Sequence, residues 1–131
     1  MIPRDDSGSS ENPILEISRR FALAIIMHSR IIEQQRLPDI AVQLRRCATS
    51  VGANVSEAQR AQSRADFIHK MKLAQKELIE ADYWLGLCRK LSGCEPDTDI
   101  ENDLLSLKKL FSAIISTAIQ REREKKNRPP H

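Results

Sequence analysis

Apolar residues recur along this chain at alternating steps of three and four, the spacing that lines one face of an α-helix, and they do so in four separate stretches. In the first, Ile14, Ile17, Phe21, Ala24, His28 and Ile31 form a stripe flanked by Ile25 and Ile32, wide enough to pack on two neighbours. In the second, Ile40, Leu44, Cys47, Ala48, Val51, Val55 and Ala58 point inward. The third has two adjacent seams: Phe67, Met71, Ala74, Leu78, Ala81, Leu85 and Cys88, and beside them Leu73, Glu77, Glu80, Trp84, Leu87 and Leu91. The fourth has Ile100, Leu104, Leu107, Phe111, Ile114 and Ala118, with Leu110, Ile115 and Ile119 alongside.

Start and stop signals separate these stretches. Asn12 before Pro13 caps and opens the first helix, which runs to about Gln35. Leu37 and Pro38 break the chain and begin the second. Ser63 and Asp66 form a capping box for the third, Gly93 and Pro96 end it, and Thr98 with Glu101 forms a box for the fourth. Gly52, inside the second helix, implies a close approach by another helix. Short connections between long amphipathic helices predict an all-α, up-down-up-down antiparallel four-helix bundle over residues 12–120. The polar residues 1–11 are expected to form a disordered arm, and 121–131 a basic tail into which the fourth helix frays.

Composition narrows the class further. Aromatics make up 4% and glycine is scarce, which argues against a sheet protein. The net charge of +3 is too small to imply a nucleic-acid partner, so the clustering of charge matters more. Cys47, Cys88 and Cys94 have no metal-binding spacing and read as reduced thiols of a cytoplasmic protein. No apolar run reaches the ~20 residues of a membrane span, so no membrane partner is expected.

Two constellations stand out from the core pattern. A polar stripe of Ser50, Asn54 and Glu57, facing Glu77, Glu80 and Tyr83, reads as a buried structural network fixing helix register. Bundles that hold two metal ions between carboxylates use a Glu-x-x-His step on each of two helices, and this chain has none. No catalytic, cofactor-binding or metal-ligating residue is therefore assigned, and no cofactor is expected. The second constellation is basic: Arg45, Arg46, Arg60, Arg64, Lys70 and Lys72 around the second turn, and Arg121, Arg123, Lys125, Lys126 and Arg128 in the tail. With so few stacking aromatics, contact with RNA or DNA would run through backbone phosphates.

The stretch 50–85 carries a resemblance. Ser50, Val51, Asn54, Val55 and Glu57, then Ser63, Asp66 and Phe67, then Ala74, Glu77 and Glu80 match the pattern of the four-helix-bundle proteins related to those encoded by intervening sequences in bacterial 23S ribosomal RNA genes. The run KELIEADYWLGL is similar to one branch of that family, while Ala58 stands where many members have glycine. The resemblance implies a homopentamer with no established catalytic activity. A more distant similarity is to the accessory proteins of diversity-generating retroelements, basic pentamers that bind nucleic acid and a reverse transcriptase. The resulting expectation is a non-enzymatic oligomeric scaffold or adaptor. Its partners would be further copies of the chain, RNA or DNA bound through the basic patches, and an unidentified protein. The alternative is a metal- or small-molecule-binding helical-bundle enzyme.

Overall fold

A computed structural model describes residues 12–129. Residues 1–11, expected to form an arm, and the last two of the tail lie outside the described residues. Four helices follow in order: α1 Pro13–Gln34, α2 Pro38–Ala58, α3 Arg64–Lys90 and α4 Thr98–Lys126. No strand occurs among the described residues.

Local chemistry sets the boundaries. The Asn12 side chain accepts from the Leu15 N–H at 3.4 Å, with Pro13 in the first turn, which satisfies an N–H that the helix itself leaves unpaired. The α1–α2 turn is tight enough to put Arg36 at φ 62, a left-handed conformation that a side chain adopts at a cost. Ser63 caps α3 by accepting from Asp66 N at 3.0 Å, and Gly93 takes φ 82 beyond its end. α4 differs from the expected box: Asp97 is the cap, accepting from Ile100 N at 2.8 Å, and Thr98 is already helical.

α4 also continues well past Gln120, to Lys126. The apolar pattern has ended there, but Arg, Glu and Lys are strong helix formers. Gln120 donates to Glu124 four residues on, and Arg123, Lys125 and Lys126 complement the negative end of the helix dipole. Most of the expected tail is thus helix rather than frayed chain.

Sequence neighbours pack on one another, and α1 also packs on α4, leaving α1 and α3 on one diagonal across the shared core. The core contains Phe21, Ile25 and Ile32 of α1, Leu44, Val51 and Val55 of α2, Met71, Leu78 and Leu85 of α3, and Ile100, Leu107 and Phe111 of α4. Each such side chain contributes roughly 1.5–3 kcal/mol of transfer free energy. The α1 stripe is rotated from the one expected. Ser18 and Ser29 are buried and Ile31 is exposed, because the two serines donate to the carbonyls of Leu15 and Ile26 and so enter the core with their hydroxyls satisfied.

Three contacts tie the bundle together. Gly52 lies against α1, where an added Cβ would stand 3.7 Å from the Ser18 carbonyl oxygen. His28 is buried, and its Nε2 donates to the Cys94 carbonyl at 2.9 Å, holding the α3–α4 turn to α1. Asp103, 6% exposed, receives both Arg20 Nε at 3.0 Å and Nη2 at 2.7 Å. That bond holds the Arg20 guanidinium above its ordinary pKa.

Candidate functional site

The expected polar stripe does not form one network within the chain. Asn54 donates to the Ser50 carbonyl and hydroxyl at 2.9 and 3.3 Å, so both stay within α2. Glu57 is exposed and pairs with Lys70 at 3.0 Å. Tyr83, 61% exposed, stands edge-on to Trp84 with ring centroids 5.2 Å apart. The physical reason is rotation: Val51, Val55 and Ala58 turn inward to the core, which carries Glu57 outward on the opposite side of α2.

Glu77 and Glu80 meet instead two residues that the pattern had placed apart. The Arg46 guanidinium donates to Glu77 at 3.2 Å and to Glu80 at closer range, and the buried Cys47 thiol donates to Glu80 at 3.0 Å. Its thiol is pushed up to about 12, by burial first and by the bond to Glu80 second. The same bond, with Arg46, lowers the Glu80 carboxyl. Sulfur and carboxylate oxygens of Cys47, Glu77 and Glu80 all lie within 4.8 Å of one another. A metal ion taken up there would have to displace both the guanidinium and the thiol proton, since a thiol ligates as thiolate. As folded, the constellation is a charged clasp between α2 and α3. Sequence reasoning treated Arg46 and Cys47 as a surface cation and a core apolar residue; their adjacency to two carboxylates is set by the crossing of two helices.

Two rows of apolar side chains face outward. On α1 these are Leu23, Met27 and Ile31, and on α3 Ile79, Tyr83 and Leu87, each spaced by four residues. Met27 is 57% and Ile79 65% exposed. The sequence suggested Ile25 and Ile32 as the surplus of α1, but both are fully buried. Beside the α3 row, the buried Trp84 Nε1 has no hydrogen-bond partner. It points toward the Glu80 carboxylate, which it helps to hold below its ordinary pKa, without completing a hydrogen bond.

The basic residues divide into paired and unpaired sets. Arg45 reaches Glu33 and, at 3.0 Å, the Ser29 hydroxyl; Arg46 and Lys70 are paired as above. Arg64 lies 3.8 Å from Glu122. Among the described residues Arg60, Lys72, Arg121, Arg123, Lys125, Lys126 and Arg128 have no ion pair within the chain. The start of α3 and the last turns of α4 come together, so Arg64 and Arg121 flank an open groove of about 570 Å³ floored by Phe67, Ile114 and Ala118.

With this geometry, comparison with known proteins becomes informative. The family of 23S rRNA-intervening sequence proteins matches residues 10–115. The chain belongs to that family. A crystal structure of a protein of unknown function from the S23 ribosomal protein family of Bacteroides thetaiotaomicron VPI-5482 is 35% identical to it. The two superpose with a TM-score of 0.69 over 78% of this chain and 97% of that one. No curated protein matches. The matched segment takes in α1 to α3, the first part of α4, the α2–α3 clasp and both apolar rows. Arg121 and the cations beyond it lie past the segment's end.

Proposed function

We propose that the chain is a non-enzymatic subunit of a homo-oligomeric scaffold or adaptor that binds RNA or DNA through its basic end. The observation that carries the reading is the pair of outward apolar rows. They lie on diagonally placed helices and face outward separately, and two different faces on one subunit favour head-to-tail association that closes into a ring. The family resemblance implies five subunits.

Light scattering at micromolar concentration tests this directly: a multiple of the 14.9 kDa chain mass is expected. A mass near 14.9 kDa would sink the oligomer. Repetition of the unpaired cations of the α4 end around a ring would multiply phosphate contacts and make binding depend steeply on salt.

The non-enzymatic part of the reading is supported by how the reactive groups are employed. All three thiols are buried with pKa values raised, and His28 is committed to a backbone carbonyl. Among the described residues a metal-binding bundle is favoured only by the Cys47, Glu77 and Glu80 cluster, whose carboxylates Arg46 already engages. Metal content measured on protein purified without chelators separates the two.

A further inference from the structure

We propose that the groove between the first turns of α3 and the last third of α4 seats an unstacked base of a single-stranded nucleic acid, with Phe67 as the stacking platform and Arg64 and Arg121 as phosphate clamps. This rests on the nucleic-acid part of the function proposed above and narrows it to a place and a strand type. Sequence composition pointed to a phosphate-only mode because aromatics are few. The fold places one of those few at the centre of the basic end.

Three features converge on this occupant. The floor is apolar and holds an aromatic ring, which offers a sequence-tolerant surface to any base. The walls are two guanidiniums, planar forks that match phosphate oxygens in pairs. Arg64 makes only a 3.8 Å approach to Glu122, whose Oε2 has no hydrogen bond, so a phosphate presenting two oxygens outcompetes that contact. Thr117, also lining the groove, adds a hydroxyl that can donate to or accept from a base.

The volume of about 570 Å³ lies within the range of pockets that hold small ligands and is far too small for a duplex. The charge does not stop at the groove. Arg60 precedes it in the α2–α3 turn, and Arg123, Lys125 and Lys126 follow Arg121 along α4. A strand entering at one mouth thus meets cations before and after the seated base, as single-strand binders require.

The test is fluorescence anisotropy of the full chain with a labelled mixed-sequence single strand, and with the same sequence as a duplex. Phe67→Leu keeps an apolar floor and removes the ring face. It should weaken single-strand binding by roughly fivefold to a hundredfold, the worth of one stacked base, and leave duplex binding unchanged. Equal or no effect on the two polymers, with the helical circular dichroism intact, overturns the base seat while leaving electrostatic binding standing. Absence of binding by the unaltered protein removes both. Should Phe67→Leu fail to fold, photocrosslinking of the unaltered protein to a 4-thiouracil strand decides the matter. Adducts within 64–67 or 114–121 support the seat, and adducts confined to 123–128 overturn it.

Discussion

At the end of the bundle where the α1–α2 and α3–α4 turns lie, charge is spent inside the molecule. Glu33 meets Arg45, Asp82 meets Arg89 and Lys108, and Arg89 reaches Glu101 through two bonds of 2.7 and 2.8 Å. Farther along, the clasp of Arg46, Cys47, Glu77 and Glu80 locks α2 to α3. At the opposite end, where Asn12 bonds Gln59 and α3 begins, the ion pairs are Lys70 with Glu57 and the loose approach of Arg64 to Glu122. Both ends use similar residues, and Arg36 and Lys90 are without an ion pair at the first, but among the described residues the second gathers more such cations: Arg60, Arg121, Arg123, Lys125, Lys126 and Arg128. One end is built for cohesion, and the other keeps a positive field that a polyanion could neutralise.

The comparison can be broken most forcefully with alkali. All three thiols are held protonated above their ordinary value of 9.0: Cys47 up to about 12, Cys88 to about 11, and Cys94 in the same direction. Burial is the first cause in each case. The unfolded chain loses these protons above pH 9 while the folded chain keeps them, so their contribution is complete below pH 9 and is lost as pH rises toward 12. The slope is at most ~1.4 kcal/mol per pH unit for each thiol that stays protonated. Urea titrations at pH 8 and pH 10.5 should show the loss, and Cys47→Ala should flatten it. Equal midpoint shifts in Cys47→Ala and the parent would contradict the assignment.

Next in size is Asp103→Ala, which leaves Arg20 without its bidentate acceptor. Because Arg20 remains partly solvated, the cost should fall below the full range for a broken buried pair, at ~2 kcal/mol. A thermal melt reads this directly. Asp103→Asn, which keeps one acceptor, should recover part of it.

The four helices were legible because periodicity and caps agree at nearly every boundary, and Met71, Ala74, Leu78, Ala81, Leu85 and Cys88 face the core as spaced. What failed was the assignment of polar residues on half-buried faces. Ser18 and Ser29 entered the core because a serine can bond its own helix, and Glu57 left it because a single step of rotation separates inside from outside. The basic cluster was visible as composition. Its division into paired and unpaired members was not, since which acid lies opposite each arginine depends on how helices cross. Phe67 was read only as a seam residue for the same reason: the rest of the groove it lines, apart from Arg64, comes from α4, about fifty residues on.

A smaller effect probes the seam between α1 and α2 at the unpaired end. Gly52 meets the Ser18 carbonyl at a distance that a methyl group tolerates, 3.7 Å. Gly52→Ala should therefore gain up to ~1 kcal/mol of helix propensity. A lower melting temperature would mean that α1 sits closer than the contact distance indicates.

The smallest effect on stability, and the sharpest on the contrast between the ends, belongs to Arg123, Lys125 and Lys126. Among the described residues none has an ion pair, and all lie beyond the last core residue, Ala118. Their replacement together by glutamine removes favourable charges from the C-terminal end of α4, a loss of a few tenths of a kcal/mol each at an exposed site. The melting temperature should barely move. Binding to a single strand should lose salt dependence instead, with the slope of log affinity on log salt falling by up to ~0.7 for each phosphate contact removed. The same number of replacements at Arg45, Arg89 and Lys108 should do the reverse, lowering stability while leaving the slope in place, because those cations are already engaged by acids of the chain. If the two triple variants behaved alike in either measurement, the ends would not differ in function, and the positive surface of α4 would be solvated charge like any other.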